Sequence, residues 1–201
     1  LYNGGTLYID EGKPTASGIA QTLRNLREIA PTVYISVPKG FDALVPVFDR
    51  DPALARTFFS RLRMLFYAGA GMSQYLWDAL GRLSVQAIGV QVPVMTGLGA
   101  TECAPATLAN WYNREAAMIG LPVPGVEVKL VPNGDKLEFR VRGPSVTPGY
   151  WRAPALTRAA FDEEGFYKMG DAVRFLDSSA PREGLLFDGR VAEDFKLATG
   201  T

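Results

Sequence analysis

A segment from Thr96 to Pro105 brings together residues that could bind a charged ligand. It reads Thr-Gly-Leu-Gly-Ala-Thr-Glu-Cys-Ala-Pro and follows Val90–Met95, an apolar run long enough for a buried strand and too short for a helix. Its two glycines allow a tight turn and a close approach of the backbone to a ligand, which a Cβ would obstruct. The segment therefore predicts a ligand site at the end of a strand, where α/β sheets bind ligands.

Thr101 and Glu102 supply the chemistry of this segment. Turn amides and the Thr101 hydroxyl can donate hydrogen bonds to a phosphate, and the Glu102 carboxylate can coordinate a hard cation. The alternative is a glycine turn that only ends a strand. Taken by itself, the segment leaves both interpretations open.

Composition excludes several classes of site. Lys+Arg and Asp+Glu number 21 each, so no net charge attracts nucleic acid or an anionic membrane, and no run reaches transmembrane length. The chain has no histidine, so Ser-His or Cys-His pairs and His-ligated zinc sites cannot form within it. The single cysteine, Cys103, is predicted to be a packed thiol, and its solitary presence is consistent with a cytoplasmic protein.

The first half of the chain alternates predicted strands and helices. This alternation predicts a mostly parallel sheet with flanking helices, and its glycine turns, Gly69–Gly71 and Gly97–Gly99, would lie along one edge of the sheet. Asp51 and Ser73 are predicted to cap helices. The predicted strands are 5–10, 32–37, 64–68 and 90–95, and the predicted helices are 15–30, 42–48, 52–61 and one that begins after residue 73.

The second half predicts a small antiparallel β sheet or barrel. Val126–Val131 and Leu137–Arg142 alternate apolar and polar residues around a turn at Pro132–Asp135, which is typical of a hairpin with one wet face. A short helix is predicted at 155–161, a turn at 162–165, and strands at 167–169, 172–176 and 185–187. The predicted fold class is therefore α/β, divided into an α/β part at 1–105, a small β part at 106–188 and a hinge segment at 189–201.

Three motifs, taken in order, identify a family. The first is Thr96–Pro105; the second runs from Pro148-Gly-Tyr-Trp through Thr157 to Asp171; the third is Leu186–Lys196. At these separations they resemble the adenylate-forming superfamily, which includes acyl- and aryl-CoA synthetases, luciferases and peptide-synthetase adenylation domains. The ending Asp-Gly-Arg-Val-Ala-Glu-Asp-Phe-Lys-Leu-Ala-Thr-Gly-Thr is similar to that of feruloyl-CoA synthetases. The resemblance covers essentially the whole chain.

This resemblance implies roles for four polar residues. Thr101 would hydrogen-bond the α-phosphate of ATP, and Glu102 would hold Mg²⁺ during catalysis. Asp171 would accept hydrogen bonds from both ribose hydroxyls, and Arg190 would donate to the same sugar. Three of these residues have a structural alternative: Glu102 could cap a helix, Asp171 could be a turn acid and Arg190 a surface charge.

Other residues are implied in nucleotide binding by position. Gly69, Ala70 and Gly71 would form a wall against adenine and the acyl group. Leu98, with Gly99 beside it, occupies a position where many members carry an aromatic ring that stacks on adenine. Lys196 would lie in the hinge segment before a C-terminal domain.

The implied activity is that of an ATP-dependent acid–CoA ligase using ATP, Mg²⁺ and CoA, with a hydroxycinnamate such as ferulate as the acid. The family's phosphate loop would precede Leu1 and its catalytic lysine would follow Thr201, so we expect a piece of a longer protein that is inactive alone and self-associates. Two alternatives remain: a peptide-synthetase adenylation domain, which loads a carrier protein, and a non-catalytic nucleotide-binding or structural module.

Overall fold

A computed structural model describes residues 4–104, 107–110 and 115–191 of the chain. They form two compact units that divide between Val94 and Met95. The division predicted from the sequence, at 1–105, 106–188 and 189–201, stays a prediction. Over the described ranges, no helix combines the length and the apolar character needed to cross a membrane.

The first unit alternates helices and strands as the sequence predicts. Asp51 caps α3 by accepting a hydrogen bond from the amide of Leu54 at 3.0 Å, and Ser73 caps α4 by accepting one from Leu76 at 3.3 Å. Both predicted caps are thus confirmed. The elements are α1 (Ile19–Glu28), β1 (Val33–Ser36), α2 (Pro38–Arg50), α3 (Pro52–Phe59), β2 (Met64–Tyr67) and α4 (Gln74–Ile88).

Strands β1 and β2 are parallel, and the two faces of this pair have different surroundings. Tyr34 lies opposite Leu65 on the face that packs against the core, where the Tyr34 ring contacts Phe41 and Phe58 edge-on. Burial raises the pKa of Tyr34 to about 12. On the other face, Val33 and Ile35 are 44% and 66% exposed. One face of the pair is therefore covered and the other is open.

The segment from Gly5 to Asp10 is not a strand, contrary to the sequence prediction. Its apolar side chains, Leu7, Tyr8 and Ile9, are largely exposed. The Asp10 carboxylate instead accepts hydrogen bonds from the side chains of Thr22 and Asn25 on α1. A β-rich segment forms a strand only where a neighbouring strand hydrogen-bonds to its backbone. Here the end of the segment is bonded through the Asp10 side chain to helix α1 instead.

The second unit is an antiparallel sheet with strand order β3-β4-β5-β9-β8-β7-β6. Its core contains fully buried Leu108, Phe139 and Val173. The predicted hairpin is confirmed as β6–β7, which turns through Gly134 at φ +65°. The elements are β3 (Val94–Leu98), a 3₁₀ turn (Thr101–Cys103), β4 (Leu108–Ala109), β5 (Met118–Pro122), β6 (Glu127–Asn133), β7 (Lys136–Arg142), α5 (Pro154–Ala160), β8 (Tyr167–Phe175), a 3₁₀ turn (Pro181–Glu183) and β9 (Leu185–Arg190).

Strand β3 starts later than the predicted 90–95 and includes the first glycine of the candidate site. Gly97 pairs with Ala109 of β4, so the prediction of a glycine turn from Gly97 to Gly99 is wrong at its first residue. A Cβ on Gly97 would lie 2.5 Å from the carbonyl oxygen of Leu108. This glycine therefore permits the close approach of a neighbouring strand rather than a turn.

Strand β8 is a single strand where the sequence predicts two. Gly170 has φ +73°, and the register of β8 against β9 shifts between Asp171 and Val173. This bulge explains why the sequence predicts two strands. Its extra residue interrupts the alternation of apolar and polar residues, but the strand continues through it. The bulge also sets the position of Asp171.

Candidate functional site

The turn after β3 is anchored by a buried thiol. The Ala100 amide donates to Cys103 Sγ at 3.1 Å, and the thiol is 3.3 Å from the Ala100 carbonyl oxygen. Burial raises the pKa of Cys103, and the carboxylates of Glu102 and Asp171 raise it further. The thiol is fully buried and packs the turn, as the sequence predicts.

Glu102 is half-buried in this turn and is held at both ends. Its carbonyl oxygen accepts a hydrogen bond from the amide of Thr147 at 2.7 Å. Its carboxylate Oε1 accepts one from the Tyr150 hydroxyl at 2.9 Å. Thr101 precedes it with an exposed side chain, so its hydroxyl is accessible to a ligand. The turn therefore presents an exposed hydroxyl at Thr101 and a fixed carboxylate at the next position.

The Tyr150 hydroxyl also lies 3.4 Å from the Tyr167 hydroxyl. Tyr167 is buried on β8, and burial raises its pKa, with the Tyr150 hydrogen bond and the Glu102 charge adding to the effect. Tyr167 is thus a neutral phenol at any working pH.

Asp171 and Arg190 form the second part of the site. Asp171 is buried on β8, and its Oδ1 is 2.8 Å from Nη1 of Arg190 at the end of β9. Burial raises the pKa of Asp171, while the Arg190 charge opposes this effect. The Arg190 side chain is 53% exposed, so its guanidinium can donate to a ligand while it pairs with the aspartate.

Six of the predicted site residues lie in the described part of the second unit. The Glu102 and Asp171 carboxylates are both near enough to the Cys103 thiol to raise its pKa, and Arg190 pairs with Asp171. Leu98 ends β3, half-buried, and Gly99 follows it on the way to the turn that holds Thr101. The roles assigned to these residues stay predictions.

The remaining predicted residues lie elsewhere. Gly69, Ala70 and Gly71 form an exposed loop after β2 in the first unit, and Gly69 has φ +84°. The predicted contact of this loop with adenine and the acyl group stays a prediction. Lys196 lies outside the described residues.

The Glu102 carboxylate could serve as a protein ligand of a magnesium ion. Within the described ranges, no group of three or more His, Cys, Asp or Glu side chains could hold a metal. Mg²⁺ commonly binds through one or two carboxylates, with water and substrate phosphates as its other ligands. The single carboxylate of Glu102, next to Thr101 in the sequence, suits that pattern. It accepts one hydrogen bond, from Tyr150, and its other lone pairs could bind a metal ion.

Tyr150 and Tyr167 are the site residues that sequence reasoning missed. Both lie within the second motif, which includes Pro148-Gly-Tyr-Trp and ends at Asp171. Their position in a recognised motif was the available signal. The bond from Tyr150 to Glu102 was not predictable, because Tyr150 lies 48 residues further along the chain, and Tyr167 joins the site only through its contact with Tyr150.

Comparison with known proteins gives consistent results. The chain is 31% identical over 193 residues to an anthranilate–CoA ligase of Pseudomonas aeruginosa, covering 90% of this chain and 33% of that protein. It is 33% identical over 168 residues to a long-chain-fatty-acid–CoA ligase of Escherichia coli, covering 73% of this chain and 29% of that protein. The chain thus spans about a third of the length of these curated relatives.

The fold and the family profile agree with these relatives. A solved anthranilate–CoA ligase in complex with anthranoyl-AMP superposes with a TM-score of 0.73 at 22% identity, covering 94% of this chain and 35% of that one, which shows a shared fold. The profile described as AMP-binding enzyme matches residues 1–151. The chain belongs to the AMP-binding enzyme family, with acyl- and aryl-CoA ligases as homologues.

Proposed function

We propose that this chain is the nucleotide-binding part of an ATP-dependent acid–CoA ligase. The reaction would join a carboxylate to the AMP part of ATP as an acyl-adenylate with release of pyrophosphate, and then transfer the acyl group to CoA with release of AMP. The observation that carries the proposal is that one unit of a chain from this family holds both the Tyr150-bonded Glu102 carboxylate and the Asp171–Arg190 pair.

Asp171 and Arg190 suit the ribose of the nucleotide. Arg190 uses one of its donors on Asp171 Oδ1, which leaves Oδ2 and four further guanidinium N–H groups as potential partners for sugar hydroxyls. A buried carboxylate binds a hydroxyl more strongly than an exposed one does, because water competes less for it. This pair would therefore contribute to ATP binding more than to the chemical step.

Thr101 and Glu102 suit the phosphates. The accessible Thr101 hydroxyl would donate to the α-phosphate, and the Glu102 carboxylate would hold Mg²⁺ beside it. Bound Mg²⁺ would supply positive charge against the phosphate oxygens during adenylate formation. Both residues act by position and charge rather than by forming a covalent intermediate.

An aromatic hydroxycinnamate such as ferulate is the acid we propose. The support is the likeness of the chain's ending to feruloyl-CoA synthetases, and the anthranilate–CoA ligase relative also acts on an aromatic acid by its name. CoA is the proposed acceptor because the relatives are named as CoA ligases. A carrier protein as acceptor is the alternative, and we expect the protein to be cytoplasmic.

Isotope exchange between pyrophosphate and ATP tests the proposal. We would express the longest reading frame that contains this chain and offer it ferulate, anthranilate, malonate and a long-chain fatty acid. Exchange should depend on an aromatic acid, and Glu102→Ala should lower it by about a hundredfold or more, in line with the loss of a metal-positioning group. Glu163→Ala, which removes an exposed glutamate elsewhere in this unit, is the matched control.

Two results would contradict the proposal. One is the absence of exchange with every acid, which would favour a non-catalytic nucleotide-binding module. The other is full exchange activity in the Glu102→Ala variant. The 201-residue chain alone should stay at background, because its relatives are about three times as long. Release of the acyl group to free CoA, rather than to an added carrier protein, would identify the acceptor.

A further inference from the structure

We propose that Tyr150 is a positioning residue that orients the Glu102 carboxylate for its ligand, and that Tyr167 sets the direction of the Tyr150 hydroxyl. This inference rests on the proposed function of Glu102. It assigns a purpose to the Pro148-Gly-Tyr-Trp motif, which the nucleotide contacts proposed above leave without one.

The backbone around Tyr150 is fixed by two threonines. The Thr147 hydroxyl donates to the carbonyl oxygen of Gly149 at 3.0 Å, and the Gly149 amide donates back to Thr147 Oγ1 at 3.3 Å. On the other side, Thr157 Oγ1 accepts a hydrogen bond from the Tyr150 amide at 2.9 Å and donates to the carbonyl oxygen of Ala153 at 3.1 Å. Tyr150 is therefore held from both sides.

Gly149 is required for this arrangement. It has φ +146°, and a Cβ at this position would lie 2.5 Å from Cγ2 of Thr157. A side chain there would push away the threonine that holds the Tyr150 amide. In the Gly-Tyr pair of the motif, Gly149 thus permits the close approach of Thr157, and the amide of Tyr150 bonds to that threonine.

One short segment restrains both ends of Glu102. The Thr147 amide donates to the Glu102 carbonyl oxygen at 2.7 Å, and the Tyr150 hydroxyl donates to its carboxylate at 2.9 Å. A glutamate side chain loses considerable rotamer freedom when a ligand fixes it. The Tyr150 bond, which is charge-assisted, fixes that side chain before a ligand arrives.

The direction of the hydrogen bonds follows from the groups involved. An ionised carboxylate only accepts, so the Tyr150 proton points to Glu102. In the 3.4 Å contact between the two phenol oxygens, the Tyr167 hydroxyl is then the donor and the Tyr150 oxygen the acceptor. Burial keeps the proton on Tyr167 by raising its pKa. The chain of donors runs from Tyr167 to Tyr150 to Glu102, and it directs the Tyr150 proton at the carboxylate.

The test is the magnesium requirement of Tyr150→Phe in the longest reading frame. The Mg²⁺ concentration for half-maximal pyrophosphate exchange should rise about tenfold, the loss expected for one hydrogen bond to a charged group. Tyr75→Phe is the control, since Tyr75 is 74% exposed on α4 and should leave the requirement unchanged. In a Glu102→Gln background, Tyr150→Phe should add no further change, whereas a general structural effect would add to that of the first substitution.

Each outcome decides between the inference and the proposed function. If Glu102→Gln alters the magnesium requirement and Tyr150→Phe does not, the inference is wrong and the proposed function stands. If Glu102→Gln leaves the requirement unchanged, the proposed function fails first. Should Tyr150→Phe not fold, Tyr167→Phe takes its place: a rise of about threefold is expected from the weaker, indirect bond, and no rise would overturn the inference.

Discussion

Asp171 and Arg190 face each other across β8 and β9, with Oδ1 of the aspartate 2.8 Å from Nη1 of the arginine. The two partners are unequally exposed, because the Asp171 side chain is 8% exposed and the Arg190 side chain 53%. Arg190 can remain hydrated while Asp171 cannot. The pair is therefore suited to binding a ligand and costs folding free energy at the aspartate.

Removal of the Asp171 carboxylate should weaken ATP binding specifically. In the longest reading frame, Asp171→Ala should raise the KM for ATP by about tenfold or more and change kcat less, because the proposed ribose contact would be made in both the ground and transition states. Asp135→Ala, at the exposed tip of the β6–β7 hairpin, is the control and should behave as the wild type. Initial-rate kinetics measure both constants. Unchanged ATP kinetics in the Asp171 variant would show that the residue does not contact the nucleotide.

The same carboxylate should reduce stability as the pH rises. Since burial raises the pKa of Asp171 above the ordinary 3.8, its stabilising contribution is complete below that value and is lost as the pH rises through the folded-state pKa. Asp171→Asn, which stays uncharged, should therefore gain stability relative to the wild type between about pH 4 and about pH 7. Urea unfolding at both pH values measures the difference. A constant difference would mean that Arg190 fully offsets the effect of burial.

Gly120 should not tolerate a side chain. It has φ +91°, and a Cβ there would lie 1.9 Å from the carbonyl oxygen of Ala109 on the neighbouring strand. Gly120→Ala should lower the free energy of unfolding by about 3 kcal/mol or more, because backbone strain and steric overlap add. Gly134→Ala is the control for strain alone, since it has φ +65° and a Cβ there would meet no atom within 4 Å, and it should cost about 1 kcal/mol. Equal losses in urea unfolding would show that β4 moves away to accommodate the methyl group.

The open face of the parallel pair should cause the 201-residue chain to self-associate. Val33, Ile35 and Val37 are 44%, 66% and 48% exposed, and they form an apolar surface at one edge strand of the first unit. Light scattering over a concentration series should show a rise in apparent mass. The Val33→Thr/Ile35→Thr double variant should reduce that rise, and Val85→Thr, which alters an exposed valine on α4, should not. A strictly monomeric chain that melts cooperatively would contradict this prediction.

Local signals in the sequence predict the elements well where only neighbouring residues are involved. The caps at Asp51 and Ser73 and the β6–β7 turn at Gly134 form where the sequence places them. Each requires only a few adjacent dihedral angles and one side chain. Gly5–Asp10 fails for the converse reason, because β propensity describes how a residue fits beside a strand and does not supply that strand.

The order of motifs along the sequence also determined the family and selected Thr101, Glu102, Asp171 and Arg190 as candidates. Only the tertiary structure could show that Gly97 makes room for β4 and that the Tyr150 hydroxyl bonds to Glu102. Both depend on which strands and loops become neighbours after chain segments far apart in sequence have closed on one another. That choice is made by the packing of the whole sheet and by loop closure, and no local window of residues contains it.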